Sequence, residues 1–185
     1  PINCFNVCDG ALAASVSGGT PTYTMSIATP SSGIIPGSSL NSLCAGTYTL
    51  RITDSNGCTN NTVTATLVQP PNITLTVNSS SITCASLCNG SLTANISGGT
   101  PGYTILWSPA GGSSTLAMGL CANNYTLLVT DSKNCVSTTV TAVTAPSSLT
   151  VTPAVTDISC AGGSNGSATI TATGGIPSYT FQFNS

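Results

Sequence analysis

Leu92-Thr93-Ala94-Asn95-Ile96-Ser97-Gly98-Gly99-Thr100-Pro101-Gly102-Tyr103-Thr104-Ile105-Leu106-Trp107 reads as a strand, a Gly-Gly turn and a second strand. Leu92, Ala94 and Ile96 alternate with Thr93, Asn95 and Ser97, and beyond the turn Tyr103, Ile105 and Trp107 alternate again. The same hairpin stands eighty residues earlier, from Leu12 to Ile27, around Gly18-Gly19-Thr20-Pro21-Thr22-Tyr23. It returns seventy-six residues later, from Ala168 to Phe183, around Gly174-Gly175-Ile176-Pro177-Ser178-Tyr179. One hairpin repeated at near-constant spacing marks a tandem array.

That spacing divides the 185 residues into a first repeat over 1–69, a complete second repeat over 70–146 and the first half of a third over 147–185. The first repeat lacks its opening strand, because Pro1 stands just before Cys4. The chain reads as a window from a longer or processed protein. A repeat this small has a marginal core and needs covalent staples, which nine cysteines can supply. Only Arg51, Lys133, Asp9, Asp54, Asp131 and Asp157 are charged, and there is no His or Glu. Such a balance excludes a coiled coil, a charged disordered tail and a nucleic-acid binder, which needs a basic footprint. Thr (31) and Ser (27) make up nearly a third of the chain, and threonine suits half-exposed strands. No apolar run approaches the roughly 18 residues of a membrane span, so no membrane insertion is expected of this segment.

In the second repeat, Pro70-Pro71 precedes a strand carrying Ile73, Leu75 and Val77. Residues 79–89 form a loop with Cys84 and Cys88, and the hairpin follows. Residues 111–120 are rich in Gly and Ser and hold a short edge strand. Tyr125, Leu127 and Val129 begin the next strand, Asp131-Ser132-Lys133-Asn134 turns, and a last strand runs near 136–143 before Pro146. The first repeat keeps phase with Tyr48, Leu50 and Ile52 and a turn at Asp54-Ser55-Asn56-Gly57, while the third offers Tyr179, Phe181 and Phe183. Short strands separated by Gly, Pro and Asn, with no helical period, predict an all-β chain of antiparallel sandwiches.

Leu43-Cys44-Ala45-Gly46-Thr47-Tyr48-Thr49-Leu50-Arg51-Ile52-Thr53-Asp54-Ser55-Asn56-Gly57-Cys58, together with the Gly-Gly-x-Pro-x-Tyr hairpins, resembles the SprB repeat of large surface adhesins of gliding Bacteroidota. The resemblance covers essentially the whole chain. It implies tandem immunoglobulin-like modules stapled by disulfides, exported and displayed on the outer membrane. Cys8 and Cys88 are additional to the family pattern, and Cys44 and Cys121 stand where Ser or Pro is commoner.

Each of the first two repeats has four cysteines, and four allow three pairings. The third keeps Cys160 but has Ser164 where Cys88 stands in the second, so the extra cysteine is dispensable to the first. The family's usual two are the early one and the one after Asp-x-Asn-Gly. The resemblance therefore implies Cys4–Cys58 with Cys8–Cys44, Cys84–Cys135 with Cys88–Cys121, and a partner for Cys160 beyond Ser185. Each bond closes a loop of some 30 to 50 residues, worth roughly 3 to 4 kcal/mol. The alternative, a four-thiolate zinc site, lacks the second tight pair of a zinc ribbon, and no metal or other cofactor is expected.

Nothing supplies a general base, so no catalytic residue and no enzyme activity are expected. Asp54 and Asp131 read as turn braces in preference to calcium ligands, which come in clusters of carboxylates. Tyr48 and Tyr125 resemble the tyrosine corner of immunoglobulin-like sandwiches. Trp107 reads as core, with glycan stacking as its alternative. Asn60, Asn72, Asn78, Asn89, Asn95, Asn124 and Asn165 head Asn-x-Ser/Thr triplets and are the candidate glycosylation sites. The whole reads as a structural and adhesive segment of an extracellular surface protein, a stalk or filament for adhesion or gliding. Its expected partners are other copies of the repeat, along or between chains, and a surface polysaccharide or substratum. The alternatives are a subunit of a multi-chain extracellular fibre or sheath and a carbohydrate-binding accessory module.

Overall fold

A computed structural model of the chain describes residues 1–28, 34–36, 39–59 and 63–182. Every regular element among them is a strand. The first repeat contains β1 (Gly10–Ala13), β2 (Thr24–Ala28), β3 (Ile34–Pro36), β4 (Ser39–Leu43), β5 (Gly46–Thr53) and β6 (Val63–Leu67). The second contains β7 (Thr74–Ser80), β8 (Gly90–Ser97), β9 (Thr104–Ser108), β10 (Leu116–Leu120), β11 (Asn123–Thr130) and β12 (Val136–Val143). The third contains β13 (Thr150–Thr156) and β14 (Ser167–Thr173).

The second repeat is a sandwich of two three-stranded sheets, ordered β10-β8-β7 and β12-β11-β9. The first has β1 on β4 opposite the sheet β3-β2-β5-β6, and β13 pairs with β14. β1 with β4, β8 with β10, β13 with β14, and β5 with both β2 and β6 pair antiparallel, as hairpins and short crossovers require. By spatial proximity the chain divides into two compact units whose borders do not follow the repeats. One comprises Pro1–Thr74 with Ile96–Thr104 and Val129–Ser137; the other comprises Leu75–Asn95, Ile105–Leu128 and Thr138–Ser185. The hairpin and the late turn of the second repeat thus belong with the first.

In the first unit Ile2, Ile27, Leu40, Leu43, Tyr48 and Leu67 form one buried cluster, with Leu12 and Leu50 packed against it. In the second, Leu92 and Leu127 are fully buried, with Trp107, Ala117, Leu120 and Tyr125 nearly so. Trp107 lies in the interior and its Nε1 donates to Ser114 O at 2.9 Å, so the ring is core. Period-2 alternation predicts the inner face well along β8 and β11 and poorly in the third repeat. There Ala168 and Phe181 are exposed, while Phe183 lies outside the described residues. Among the described residues no helix is long and apolar enough to cross a membrane.

The hairpin turn needs its glycines for two separate reasons. Gly98 and Gly99 have φ of 77° and 63°, a region that costs little only without a Cβ. A Cβ on Gly98 would also stand 1.9 Å from Asn72 O, and one on Gly174 2.0 Å from Ser148 O, because the entering chain lies across the turn. At Gly18, with φ of 81°, nothing lies within 4 Å. Gly18→Ala should therefore cost about 1 kcal/mol of backbone strain, and Gly98→Ala roughly 2 to 4 kcal/mol because a clash is added. Urea denaturation of the two variants checks this order; equal losses would mean that the close approach is not rigid.

Candidate functional site: the cross-linked junction of two repeats

Three polar devices recur from repeat to repeat and hold the cysteine-bearing loops. The first is an aspartate clasp. Asp131 Oδ2 accepts the N–H of Thr100 at 2.8 Å, while Oδ1 accepts those of Lys133 (2.8 Å) and Cys135 (2.9 Å). Asp54 does the same in the first repeat, with Thr20 at 3.1 Å, Asn56 at 3.0 Å and Cys58 at 2.8 Å. Each carboxylate braces its own turn and also grips the Gly-Gly hairpin more than thirty residues upstream. That second grip is not apparent from local turn chemistry. Its sequence signal is the joint recurrence of Gly-Gly-Thr-Pro and Asp-Ser in both repeats.

The second device closes the early loop. Asn3 N–H and Nδ2 donate to Asp9 at 3.0 and 2.7 Å. Thr83 N–H and Oγ1 engage Asn89, and Ser159 N–H and Oγ engage Asn165, in the same places. The third device is a set of tyrosine hydroxyls. Tyr48 donates to Cys44 O at 2.8 Å and Tyr125 to Cys121 O at 3.0 Å, both rings being buried. Tyr23, Tyr103 and Tyr179 donate instead to the first glycine carbonyl of their own hairpins, Gly18, Gly98 and Gly174.

Three disulfides are formed. Cys8 bonds Cys44, Cys88 bonds Cys121, and Cys4 bonds Cys135, while Cys58, Cys84 and Cys160 are free and exposed. The pairs Cys4–Cys58 and Cys84–Cys135 implied by the family pattern are thus corrected to one bond that crosses from repeat to repeat. Strand direction gives the reason. Eight-residue β5 leads from Cys44, bonded to Cys8 at the early-loop end, to Asp54, clasped to the hairpin at the other. At about 3.3 Å per residue the two ends are about 25 Å apart, far beyond the roughly 7 Å that a disulfide spans. Cys4 lies at the first end and Cys58 at the second.

Connectivity brings unlike ends together. β6 ends at Leu67 opposite Gly46, so the chain leaves the first repeat at its early-loop end. It enters the second at the hairpin end, where Pro71 O accepts Gly99 N–H at 2.8 Å. Asn6 N–H donates to Gln69 Oε1 at 2.9 Å, tying the early loop to the connection. Cys4 therefore meets the late turn of the following repeat, beside a cavity of about 340 Å³ lined by Phe5, Pro70, Pro71 and Ile73 among others. Cys135 is buried there, whereas its counterpart Cys58 is exposed.

Residues 76–112 and 152–185 match the family model of the SprB repeat. Over these two segments the chain is similar to the SprB repeat. Both matches run from the opening strand through the Gly-Gly hairpin, and SprB repeats occur in cell-surface proteins. No curated protein matches the chain. Among the described residues no three His, Cys, Asp or Glu side chains gather as a metal site. Asn72, Asn78, Asn89, Asn95, Asn124 and Asn165 of these repeats are exposed, and Asn60 lies outside the described residues. The amide nitrogens of Asn89 and Asn165 already donate within the early loops.

The clasp makes stability depend on pH. Burial opposes ionisation of Asp131, but the N–H groups of Thr100, Cys135 and Lys133 and the Lys133 charge outweigh it and hold the carboxyl below 3.8. Asp54 is lowered chiefly by Thr20 N–H, and Asp9 by Asn3 N–H. A carboxyl lowered by folding stabilises fully above its unfolded value and loses that contribution as pH falls through its folded value. Urea midpoints should therefore fall as pH drops below about 4. Asp131→Asn should lower the midpoint at neutral pH and flatten this acid limb; an unchanged limb would exclude the clasp as its source.

Proposed function

We propose that this chain is a load-bearing segment of a large extracellular surface protein, in which SprB repeats form a stalk or filament for adhesion or gliding at the outer membrane. The observation that carries the reading is the Cys4–Cys135 bond between consecutive repeats. A linker alone would pass tension through Val68, Gln69, Pro70 and Pro71, and each repeat in turn would bear the full force. The bond adds a shorter covalent path. Tension entering before Cys4 crosses directly to Cys135, and the residues between are relieved of it.

The remaining bonds fit the same role. Cys8–Cys44 and Cys88–Cys121 close spans of 36 and 33 residues and stabilise each repeat by roughly 3 to 4 kcal/mol through the unfolded state. A few kcal/mol is comparable to the whole stability of so small a core. Four Asp and two basic residues leave little charge to repel neighbouring modules. Surface polysaccharide or a substratum is the proposed contact, and other SprB repeats are the proposed neighbours.

Pulling a single oxidised chain by its two ends tests the reading. The 131-residue span should stay closed, so full extension should fall short of that of the reduced chain by about 450 Å. Cys135→Ser should restore about half of the missing length without reductant, because the spans closed by Cys8–Cys44 and Cys88–Cys121 stay shut. An oxidised chain that stretches to its reduced length would refute the load-sharing role.

A further inference from the structure

The cavity of about 340 Å³ at the joint carries three side chains that the corresponding positions of other repeats lack. Phe5 of the early loop corresponds to Ala85 in the second repeat and Ala161 in the third. Asn72 of the connection corresponds to Ser148, each lying across its hairpin glycine. Asn134 of the late turn corresponds to Gly57, each donating its N–H to the turn aspartate carbonyl at 3.0 Å. Asn134 has φ of 65° where Gly57 has 80°, so a carboxamide stands where glycine would be less strained. Among the described residues neither the Asn72 nor the Asn134 side-chain amide has a hydrogen-bond partner. Phe5 is 42% exposed and Val136 59%, and both line the cavity beside buried Ile73.

The chemistry of the wall selects its occupant. Phe5, Pro70, Pro71 and Val136 give it an apolar surface, and the two carboxamides add donors and acceptors. Asp131 also lines the cavity, but it is 4% exposed and its oxygens already accept the N–H groups of Thr100, Lys133 and Cys135. Neither Arg51 nor Lys133 lines it. A charged ligand would meet no counter-charge there, and a purely apolar one would cover both amides without pairing them. The volume lies at the small end of the range of ligand pockets, about 300 to 1,000 Å³, which suits a ring better than a stretch of peptide. We propose that the pocket binds one hexopyranose unit of a neutral polysaccharide, its C–H face on the Phe5 ring and its hydroxyls on Asn72 and Asn134. The source of the sugar, a surface polysaccharide, rests on the adhesive reading above, while its chemistry follows from the pocket. β7 reaches the early loop of the second repeat from the hairpin end, so a strand entering an early loop runs along its own repeat and away from the joint that follows.

Titration calorimetry on the oxidised chain, made in a host that adds no N-glycan, tests this with tetrasaccharides of glucose, mannose and galactose. At least one should bind at a single site per chain, and the galacturonic acid tetramer should bind at least about tenfold more weakly. Phe5→Ala, Asn72→Ser and Asn134→Gly each install the residue that another repeat carries, so the fold should hold. Each should weaken binding about tenfold, with the Cys4–Cys135 peptide still present in mass maps of every variant. Failure of all three neutral sugars, binding that the substitutions leave unchanged, or preference for the acidic tetramer or for a tetraproline peptide would overturn the proposal. Any of these with Cys4–Cys135 intact leaves the load-bearing reading standing, whereas an oxidised chain that stretches to its reduced length refutes that reading whatever the sugars do.

Discussion

A carboxylate placed between two turns organises each repeat. Asp54 and Asp131 are the points at which a loop late in the repeat is fastened to a hairpin formed early in it. The bonds are charge-assisted and the donors are backbone groups, so the fastening fixes main-chain position and not merely a side chain. Everything at that end follows: the glycines lie under the entering chain, the late turn stands beside them, and its cysteine has a set direction. The opposite end is arranged by a disulfide and a tyrosine hydroxyl, with Cys8–Cys44 and Tyr48 in one repeat and Cys88–Cys121 and Tyr125 in the next.

A repeat with two different ends can be stacked in only one sense, and this is why the array has polarity. β6 leaves at the early-loop end, and Pro71 enters at the hairpin end of its successor. The same entry recurs at the third repeat, where Ser147 O accepts Gly175 N–H at 2.7 Å. A connection of a few residues with two prolines leaves little room for another arrangement. The Cys4–Cys135 bond then ties the first repeat, in which no described side chain is as deeply buried as Leu92 or Leu127, to a neighbour. In the chain-entropy account so wide a closure contributes about 4 to 5 kcal/mol, even with the two smaller loops inside it.

Alternation in Leu92 to Trp107 is enough to tell strand from helix and one face from the other, because side chains on a strand point to opposite sides in turn. Spacing between the three hairpins is enough to divide the array. Neither says at which end of a sandwich a given loop lies. That depends on counting strand directions through β1 to β6, and pairing cysteines by kind within one repeat overlooks it. Cys4 and Cys58 look like partners in a linear pattern and lie a strand's length apart in space. The grip of Asp131 on Thr100 was hidden for a related reason, since propensity and turn rules describe neighbours in sequence and not residues that the fold brings together. Ala168 and Phe181 mark the converse limit: among the described residues the third repeat holds only the pair β13–β14, with no second sheet of its own to cover an apolar alternation.

The wide span enclosed by Cys4 and Cys135 bears on durability outside a cell. Hydrolysis of any one peptide bond between those residues leaves two fragments still held by a cystine. A protease that nicks an exposed loop of either repeat there does not cut the strand in two. Severing it takes a reductant as well, so the lifetime of this part of the molecule is governed jointly by the enzymes and by the redox poise of the medium around it.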